Sequence, residues 1–199
     1  MNTGAEAQQS PGFIRLDRVT DSRVLENGIE IRSGTAVMRI TALRDDVLRV
    51  RVGPSNDLPE DASWAVLPAS RTASVSITPQ SDPSTVGFST AKLRVSVQKD
   101  PLQITVTDLA GNVILQDLPG SPIEYHGAAF RERFKSPPDE HYFGLGDKPG
   151  PLDRRNESFV DWNYDAYGWQ ESTDPIYKSI PFFITYRKGV SAGIFLDNT

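Results

Sequence analysis

Apolar and polar residues alternate with a period of two along much of the chain. This pattern is typical of half-buried strands in antiparallel sheets, because successive side chains of a strand point to opposite faces. Residues 37–43 and 47–52 predict one hairpin, and residues 24–31 predict another around Asn27-Gly28. An Asn-Gly pair between apolar runs is a strong hairpin signal, since both positions of the preferred turn need a positive φ.

The alternation returns in four more short segments, at residues 86–88, 93–97, 102–106 and 113–115. Between the two alternating regions, residues 53–85 are polar, and we interpret them as a loop with one edge strand, anchored by the apolar residues Trp64, Val66 and Leu67. Many short strands with almost no 3.6-residue periodicity indicate an all-β antiparallel sandwich or barrel with few or no helices.

Prolines separate short apolar pieces after Pro119, which predicts ordered turns and sheet edges because proline cannot donate to a strand ladder. Two closing strands are expected at residues 180–186 and 193–196. The first of these is almost continuously apolar, so we expect it to be buried on both faces. In FGLGDK, Gly144 and Gly146 predict a turn, since the strand and helix that would make a phosphate-binding loop are missing.

Composition excludes several classes of protein. The formal net charge is −5 and no Lys/Arg block occurs, which argues against a nucleic-acid partner. Cysteine is absent, and His126 and His141 do not have zinc-site spacing, so we expect structural histidines and neither a metal nor an organic cofactor. Residues 1–12 are expected to be a disordered polar lead without signal-peptide features, and no stretch approaches the ~18 apolar residues of a membrane span. A cytoplasmic location is the resulting expectation.

Residues 161–169, DWNYDAYGW, place carboxylate, amide and aromatic groups within nine positions. Such groups suit a sugar, because carboxylates and amides bind vicinal hydroxyls and aromatic rings pack on the apolar ring face. Aromatic residues that only pin a loop to the domain are the alternative. A catalytic pair among Asp161, Asp165, Glu171 and Asp174 is a third possibility, but acids this close in one exposed loop are common in solvated turns.

The order of five blocks, FGLGDK, LDRR, WNYDAYG, STDPIYKSIPFFI and GIFLDN, resembles the end of the N-terminal β-domain of glycoside hydrolase family 31, the α-glucosidase family. The resemblance is close over the last third of the chain and implies a galactose-mutarotase-like β-sandwich. It also implies that Asp165 binds substrate hydroxyls from a loop, with Tyr167 and Trp169 as weaker candidates for pocket walls. Asp147 and Asn156 stand where the family usually has Glu and Gly, and Asn tolerates the left-handed backbone that Gly supplies.

In that family two aspartates of a (β/α)8 barrel carry out retaining hydrolysis. Such a barrel takes roughly 250 residues, so it is absent from this chain. The resemblance therefore implies no catalytic residue here. It implies one domain over residues 13–199, with a substrate loop at about 144–179, that gives an α-glucoside or oligosaccharide site a binding loop and docks on the catalytic barrel.

Other functions stay open from the sequence. A free-standing carbohydrate-binding module is the main alternative, and a mutarotase-like enzyme is weaker because both histidines lie outside alternating strands. Within the family, α-xylosidase and α-glucan lyase activities remain possible for the whole protein. We expect Arg154 and Arg155 to form structural ion pairs with nearby carboxylates, and Asp174-Pro175 to begin a turn.

Overall fold

The computed structural model describes residues 13–197, so the predicted disordered lead at residues 1–12 lies outside the described part. The described elements, in chain order, are β1 (Phe13–Leu16), β2 (Asp21–Leu25), β3 (Gly28–Ser33), β4 (Ala36–Arg44), β5 (Val47–Gly53), α1 (Pro68–Arg71), β6 (Thr78–Ser81), β7 (Thr85–Ser89), β8 (Leu93–Lys99), β9 (Leu102–Asp108), β10 (Val113–Gln116), β11 (Ile123–His126), β12 (Ala129–Arg131), β13 (His141–Gly146), β14 (Ser179–Arg187) and β15 (Val190–Phe195). All strand pairs in the described sheets are antiparallel, which confirms the predicted all-β class.

Contacts divide the described chain into two compact units. Unit 1 comprises residues 13–62 and 68–135, and unit 2 comprises residues 63–67 and 136–197. This division describes the density of contacts and not independent folding, so the predicted single domain over residues 13–199 stays a prediction.

Unit 1 is built from three sheets. A four-stranded sheet has the order β2-β3-β4-β5, a five-stranded sheet has the order β10-β9-β8-β7-β6, and a small sheet has the order β1-β11-β12. Alternate residues of the two larger sheets form one apolar core, with Met38, Ile40, Phe88 and Val97 at most 1% exposed. Two antiparallel sheets that share an apolar interior make a β-sandwich.

The pattern of β5 (Val47–Gly53) agrees with this core. Of the three alternating residues on one face of this strand, Leu48 and Val52 pack against the core, while Val50 is 45% exposed at the edge of the sheet. On the opposite face, the Arg49 guanidinium makes two hydrogen bonds of 2.8 and 3.0 Å to the Asp61 carboxylate.

The hairpin predicted at Asn27-Gly28 is present, but its turn is one residue earlier. Leu25 pairs with Gly28, so Glu26 and Asn27 form the turn and Gly28 is the first residue of β3. A Cβ on Gly28 would lie 2.0 Å from the Ile40 carbonyl oxygen. Glycine is therefore required for the close approach of the β4 backbone and not for a positive φ.

The polar stretch from residue 53 to residue 85 contains the predicted edge strand, β6, and a one-turn helix, α1. Trp64 and Leu67 do not anchor it, because they are 93% and 73% exposed. In the described part of the chain, no helix is long and apolar enough to cross a membrane.

Unit 2 contains a three-stranded sheet of order β13-β14-β15. Both predicted closing strands are present, but the expectation that the first is buried on both faces is wrong. Ile180, Phe182, Ile184 and Tyr186 alternate along β14 and are 39–50% exposed. No described residue covers this face enough to bury these side chains, so the apolar run does not mark a doubly buried strand.

Candidate functional site

A bulge in β13 (His141–Gly146) shapes the start of the candidate site. Gly144, Leu145 and Gly146 all have a positive φ, and the register against β14 shifts between the two glycines. A Cβ on Gly146 would lie 2.4 Å from the Lys178 carbonyl oxygen, so only glycine permits this approach. The glycines predicted to form a turn thus lie in a strand, where they bring Asp147 and Lys148 beside the first residues of β14.

Lys148 is the centre of the polar contacts in unit 2, and its side chain is fully buried. Its ammonium donates to the Val160 carbonyl oxygen at 2.6 Å, to Asp174 Oδ1 at 3.0 Å and to Ser179 Oγ at 3.4 Å. Asp161 Oδ1 lies 3.5 Å away. A buried charge needs such partners because its desolvation is costly. Two of the four acids of the loop, Asp161 and Asp174, therefore form structural ion pairs with Lys148.

Residues 160–178 form a long segment without regular secondary structure, which we call the Asp165 loop. The Ser179 amide donates to Asn163 Oδ1 at 2.7 Å, and Ser179 Oγ donates to the Trp162 carbonyl oxygen at 2.9 Å. The Tyr177 hydroxyl donates to the Ala166 carbonyl oxygen at 3.1 Å, and Ala166 itself is buried. These bonds hold the backbone on both sides of Asp165.

The arginines before the loop are structural, but not through the predicted ion pairs. Arg154 donates to the carbonyl oxygens of Lys148, Pro149 and Pro151, and its guanidinium lies 5.4 Å from the centroid of the Phe159 ring. Arg155 donates to the Glu140 carbonyl oxygen and to Ser136 Oγ. A planar guanidinium with five donors suits several carbonyls at once.

Asn156 and His141 fit their predicted roles as structural residues. Asn156 has a φ of 65°, the left-handed conformation that asparagine tolerates better than most non-glycine residues. His141 Nδ1 lies 2.6 Å from Asp153 Oδ2. The Tyr142 amide and then this histidine hold the pKa of the Asp153 carboxyl at about 2. No group of three or more metal-binding side chains occurs among residues 13–197.

The three predicted substrate-binding residues, Asp165, Tyr167 and Trp169, are exposed together on the Asp165 loop. Tyr167 is fully exposed, so its ring does not pin the loop, and the Trp169 side chain is 50% exposed. Within the described residues, no hydrogen bond or ion pair holds the Asp165 carboxylate. The same loop therefore presents an exposed carboxylate without a protein partner in the described residues and accessible aromatic rings, a combination that suits sugar hydroxyls and an apolar sugar face.

The four acids that were candidates for a catalytic pair have different surroundings in the structure. Asp161 and Asp174 are paired with Lys148, and Asp174 Oδ2 also accepts the Val160 amide at 2.5 Å. Asp165 and Glu171 are exposed. Neither exposed acid lies in the buried, apolar surroundings of a typical catalytic acid. The geometry supports binding by the loop and not bond cleavage.

Sequence reasoning did not single out Lys148, Trp162 or Tyr164 as site residues. Trp162 and Tyr164 are 67% and 58% exposed, so they add two aromatic rings to the same loop. The sequence signal was their position, since both rings lie within the same nine-residue segment as Asp165. Lys148 gave no local signal, because its partners are 12 to 31 positions away.

The described chain is thus an antiparallel β-domain that carries an exposed loop of carboxylates and aromatic rings. The model of the glycosyl hydrolase 31 N-terminal galactose mutarotase-like domain matches residues 37–199. The chain therefore belongs to this family.

Relatives of known name agree with this assignment. The chain is 32% identical over 178 residues to alpha-glucosidase 2 of Bacillus thermoamyloliquefaciens, with 87% of this chain and 22% of the relative covered. It is 42% identical over 59 residues to an alpha-glucosidase of Saccharolobus solfataricus, which covers 30% of this chain and 8% of the relative. The chain thus spans about a fifth or less of these proteins.

A solved structure shows the same fold. The glycoside hydrolase 31 dextranase of Flavobacterium johnsoniae, in complex with isomaltotriose, superposes with a TM-score of 0.84 at 28% identity. The match covers 93% of this chain and 23% of the dextranase chain. The predicted galactose-mutarotase-like β-domain is confirmed by this likeness and by the family model.

Proposed function

We propose that this chain is the N-terminal part of an α-glucosidase-like glycoside hydrolase and that the Asp165 loop binds the substrate of that enzyme. The observation that carries the proposal is the contrast between the loop carboxylates. Lys148 holds Asp161 and Asp174, whereas Asp165 is exposed beside Tyr167 and Trp169. Asp165 accepts hydrogen bonds from substrate hydroxyls, and the two rings form walls of the pocket.

The reaction itself takes place outside this chain in the proposal. The chain corresponds to 22–23% of the alpha-glucosidase and dextranase that it resembles, and the loop has no pair of acids suited to cleavage. A catalytic domain, a (β/α)8 barrel in our proposal, supplies the reacting groups. The pocket is therefore shared, with Asp165 contributed by the β-domain.

The exposed face of β14 supports a docked catalytic domain. Ile180, Phe182, Ile184 and Tyr186 form a row of half-exposed apolar side chains on one face of the sheet. Phe182 pairs with Phe195 of β15, which extends the same face across a second strand. Contiguous apolar surface of this kind is typical of an interface. We propose that it contacts the catalytic domain.

Ligand titration of the isolated 199-residue chain tests whether the pocket is shared. Because the chain supplies only one side of the pocket, calorimetry with maltotriose and with isomaltotriose should give almost no heat at millimolar ligand. Hydrolysis of an aryl α-glucoside should also be absent. A dissociation constant in the micromolar range would instead favour a free-standing carbohydrate-binding module, and turnover by the isolated chain would contradict the proposal.

Asp165→Asn tests the role of the carboxylate in the product of the complete gene, expressed with whatever sequence follows codon 199. A hydrogen bond to a charged group contributes ~1.5–3 kcal/mol, so kcat/KM for an aryl α-glucoside should fall about 10- to 100-fold. Glu171→Gln is the matched control, since this acid is exposed on the same loop and also lacks a hydrogen bond or ion pair within the described residues. Equal effects of the two substitutions would contradict a specific role for Asp165.

A further inference from the structure

Lys148 connects the two ends of the Asp165 loop. Its ammonium contacts the Val160 carbonyl oxygen at the start of the loop and Asp174 and Ser179 near its end. The ammonium has three protons to donate and accepts nothing, so these oxygens satisfy all of its donors. The side chain is fully buried, and water therefore cannot replace a lost partner.

The partners of the Lys148 ammonium make further hydrogen bonds that join the two ends of the loop. Asp174 receives the ammonium on Oδ1 and the Val160 amide on Oδ2, so this carboxylate joins both ends of the loop. Ser179 accepts from the ammonium, while its own hydroxyl donates to the Trp162 carbonyl oxygen. Removal of the ammonium leaves Asp161 and Asp174, two negative charges, near an unfilled space. Repulsion and solvation of these carboxylates then favour an open loop.

A loop of this length loses much conformational freedom when it is fixed. The fixed backbone carries Asp165, whose own side chain makes no hydrogen bond or ion pair within residues 13–197. The position of that carboxylate is therefore set by the loop ends and by the buried Ala166, not by contacts of the carboxylate. We propose that Lys148 is a positioning residue that closes the Asp165 loop and so places Asp165 for substrate, an inference that rests on the function proposed above.

Hydrogen exchange in the isolated chain tests the closure without any sugar. The informative amides are those of Val160 and Ser179, because each donates a hydrogen bond to a side chain of the closed loop. The Val160 amide donates to Asp174, and the Ser179 amide donates to Asn163. Lys148→Met keeps an unbranched side chain of similar length and removes the charge. It should speed the exchange of both amides by at least about tenfold, while amides in the unit 1 core such as that of Ile104 are unchanged. Lys188→Met, at an exposed lysine between β14 and β15, is the matched control.

Chemical rescue separates the ammonium from the bulk of the side chain. The sequence contains no cysteine, so Lys148→Cys introduces one thiol that can be aminoethylated in denaturant before refolding. The aminoethylated side chain restores an ammonium at nearly the same length and should restore slow exchange of both amides. Unchanged exchange in Lys148→Met would overturn the proposal, and so would a failed rescue in a chain that refolds.

A milder variant decides the case in which Lys148→Met unfolds all of unit 2. Asp174→Asn keeps an oxygen that can accept the Val160 amide and removes one charge next to the ammonium. Faster exchange of Val160 and Ser179, with the other amides of β14 still protected, supports the proposal. Unchanged exchange at both positions overturns it.

Kinetics of the complete gene product connect closure to substrate. Lys148→Met should raise KM more than it lowers kcat, and a second substitution, Asp165→Asn, should then lower kcat/KM less than it does alone. Fully additive losses would overturn the positioning role. If Asp165→Asn has no effect but loop closure depends on Lys148, the proposed function fails while the closure itself stands.

Discussion

Glu30 and Glu132 are two glutamates of unit 1 with opposite surroundings. Arg23 Nε donates to the Glu30 carboxylate at 2.8 Å and Arg39 donates at 2.6 Å. The Arg23 hydrogen bond first of all, with Arg39 in addition, holds the pKa of Glu30 at about 2. Burial first of all, with the nearby Asp117 carboxyl in addition, raises the pKa of Glu132 to about 7. The two residues therefore respond to pH in opposite directions.

Glu132→Gln should remove part of the loss of stability at high pH. Between its unfolded pKa of 4.5 and its folded pKa of about 7, Glu132 holds its proton in the folded chain and releases it in the unfolded chain. The free energy of unfolding therefore falls as the pH rises through this window. Urea unfolding from pH 4.5 to pH 8 should show a fall about 3 kcal/mol smaller in the variant than in the wild type. Glu26→Gln, at an exposed turn, should leave the wild-type profile unchanged, and parallel profiles for Glu132→Gln would refute the expectation.

The candidate site was only partly predictable at the level of single residues. The sequence shows four acids in the segment around Asp165, but their spacing does not tell which of them form ion pairs within the chain. The answer depends on Lys148, which reaches Asp161 and Asp174 only because a bulge in β13 brings it beside β14. Asp165 was selected by the order of the family blocks, and its role as a substrate-binding residue stays a proposal.

Strands were predicted well where apolar and polar residues alternate over many positions. They were predicted poorly where the strand is short or where its burial depends on other parts of the molecule. The strands of the two larger sheets follow their alternating residues, since one face of each enters the core. Strands β1 and β11 to β13 were missed, because they have only three to six residues and lie among glycines and prolines. For β14, composition indicated burial on both faces, but burial depends on what covers the sheet and not on the strand itself.

Gly28→Ala should destabilise the β2–β3 hairpin through contact with β4 and not through the turn. The new Cβ would lie 2.0 Å from the Ile40 carbonyl oxygen, so the two strands must separate. We expect a loss of about 2–3 kcal/mol in the free energy of unfolding, by analogy with overpacking in cores. Gly34→Ala is the comparison, because Gly34 has a φ of +59° and open space around it. Its loss should be about 1 kcal/mol, and an equal or larger loss for Gly34→Ala would contradict this explanation.

At the scale of the molecule, exposed apolar side chains are distributed unevenly. Of the 22 large hydrophobic side chains found exposed in the described chain, 15 belong to unit 2, although unit 1 is the larger unit. They include the row on β14 and the rings beside Asp165. A complete sandwich such as that of unit 1 buries its apolar faces internally. Unit 2 therefore has the surface expected of a partner for a further domain.

The double substitution Ile180→Thr and Ile184→Thr tests whether unit 2 folds without the exposed apolar face of β14. Both side chains are 42–43% exposed, and threonine keeps the β-branched shape that suits a strand. In the isolated chain, binding of a hydrophobic dye should fall about twofold, while the free energy of unfolding changes by less than about 1 kcal/mol. Val50→Thr, at an exposed edge position of unit 1, should leave dye binding unchanged. In the complete gene product the same double substitution should lower Tm by a few degrees, because in our proposal the face is buried there against the catalytic domain. An unchanged Tm in that protein, together with reduced dye binding in the isolated chain, would show that the face is apolar but not an interface with that domain.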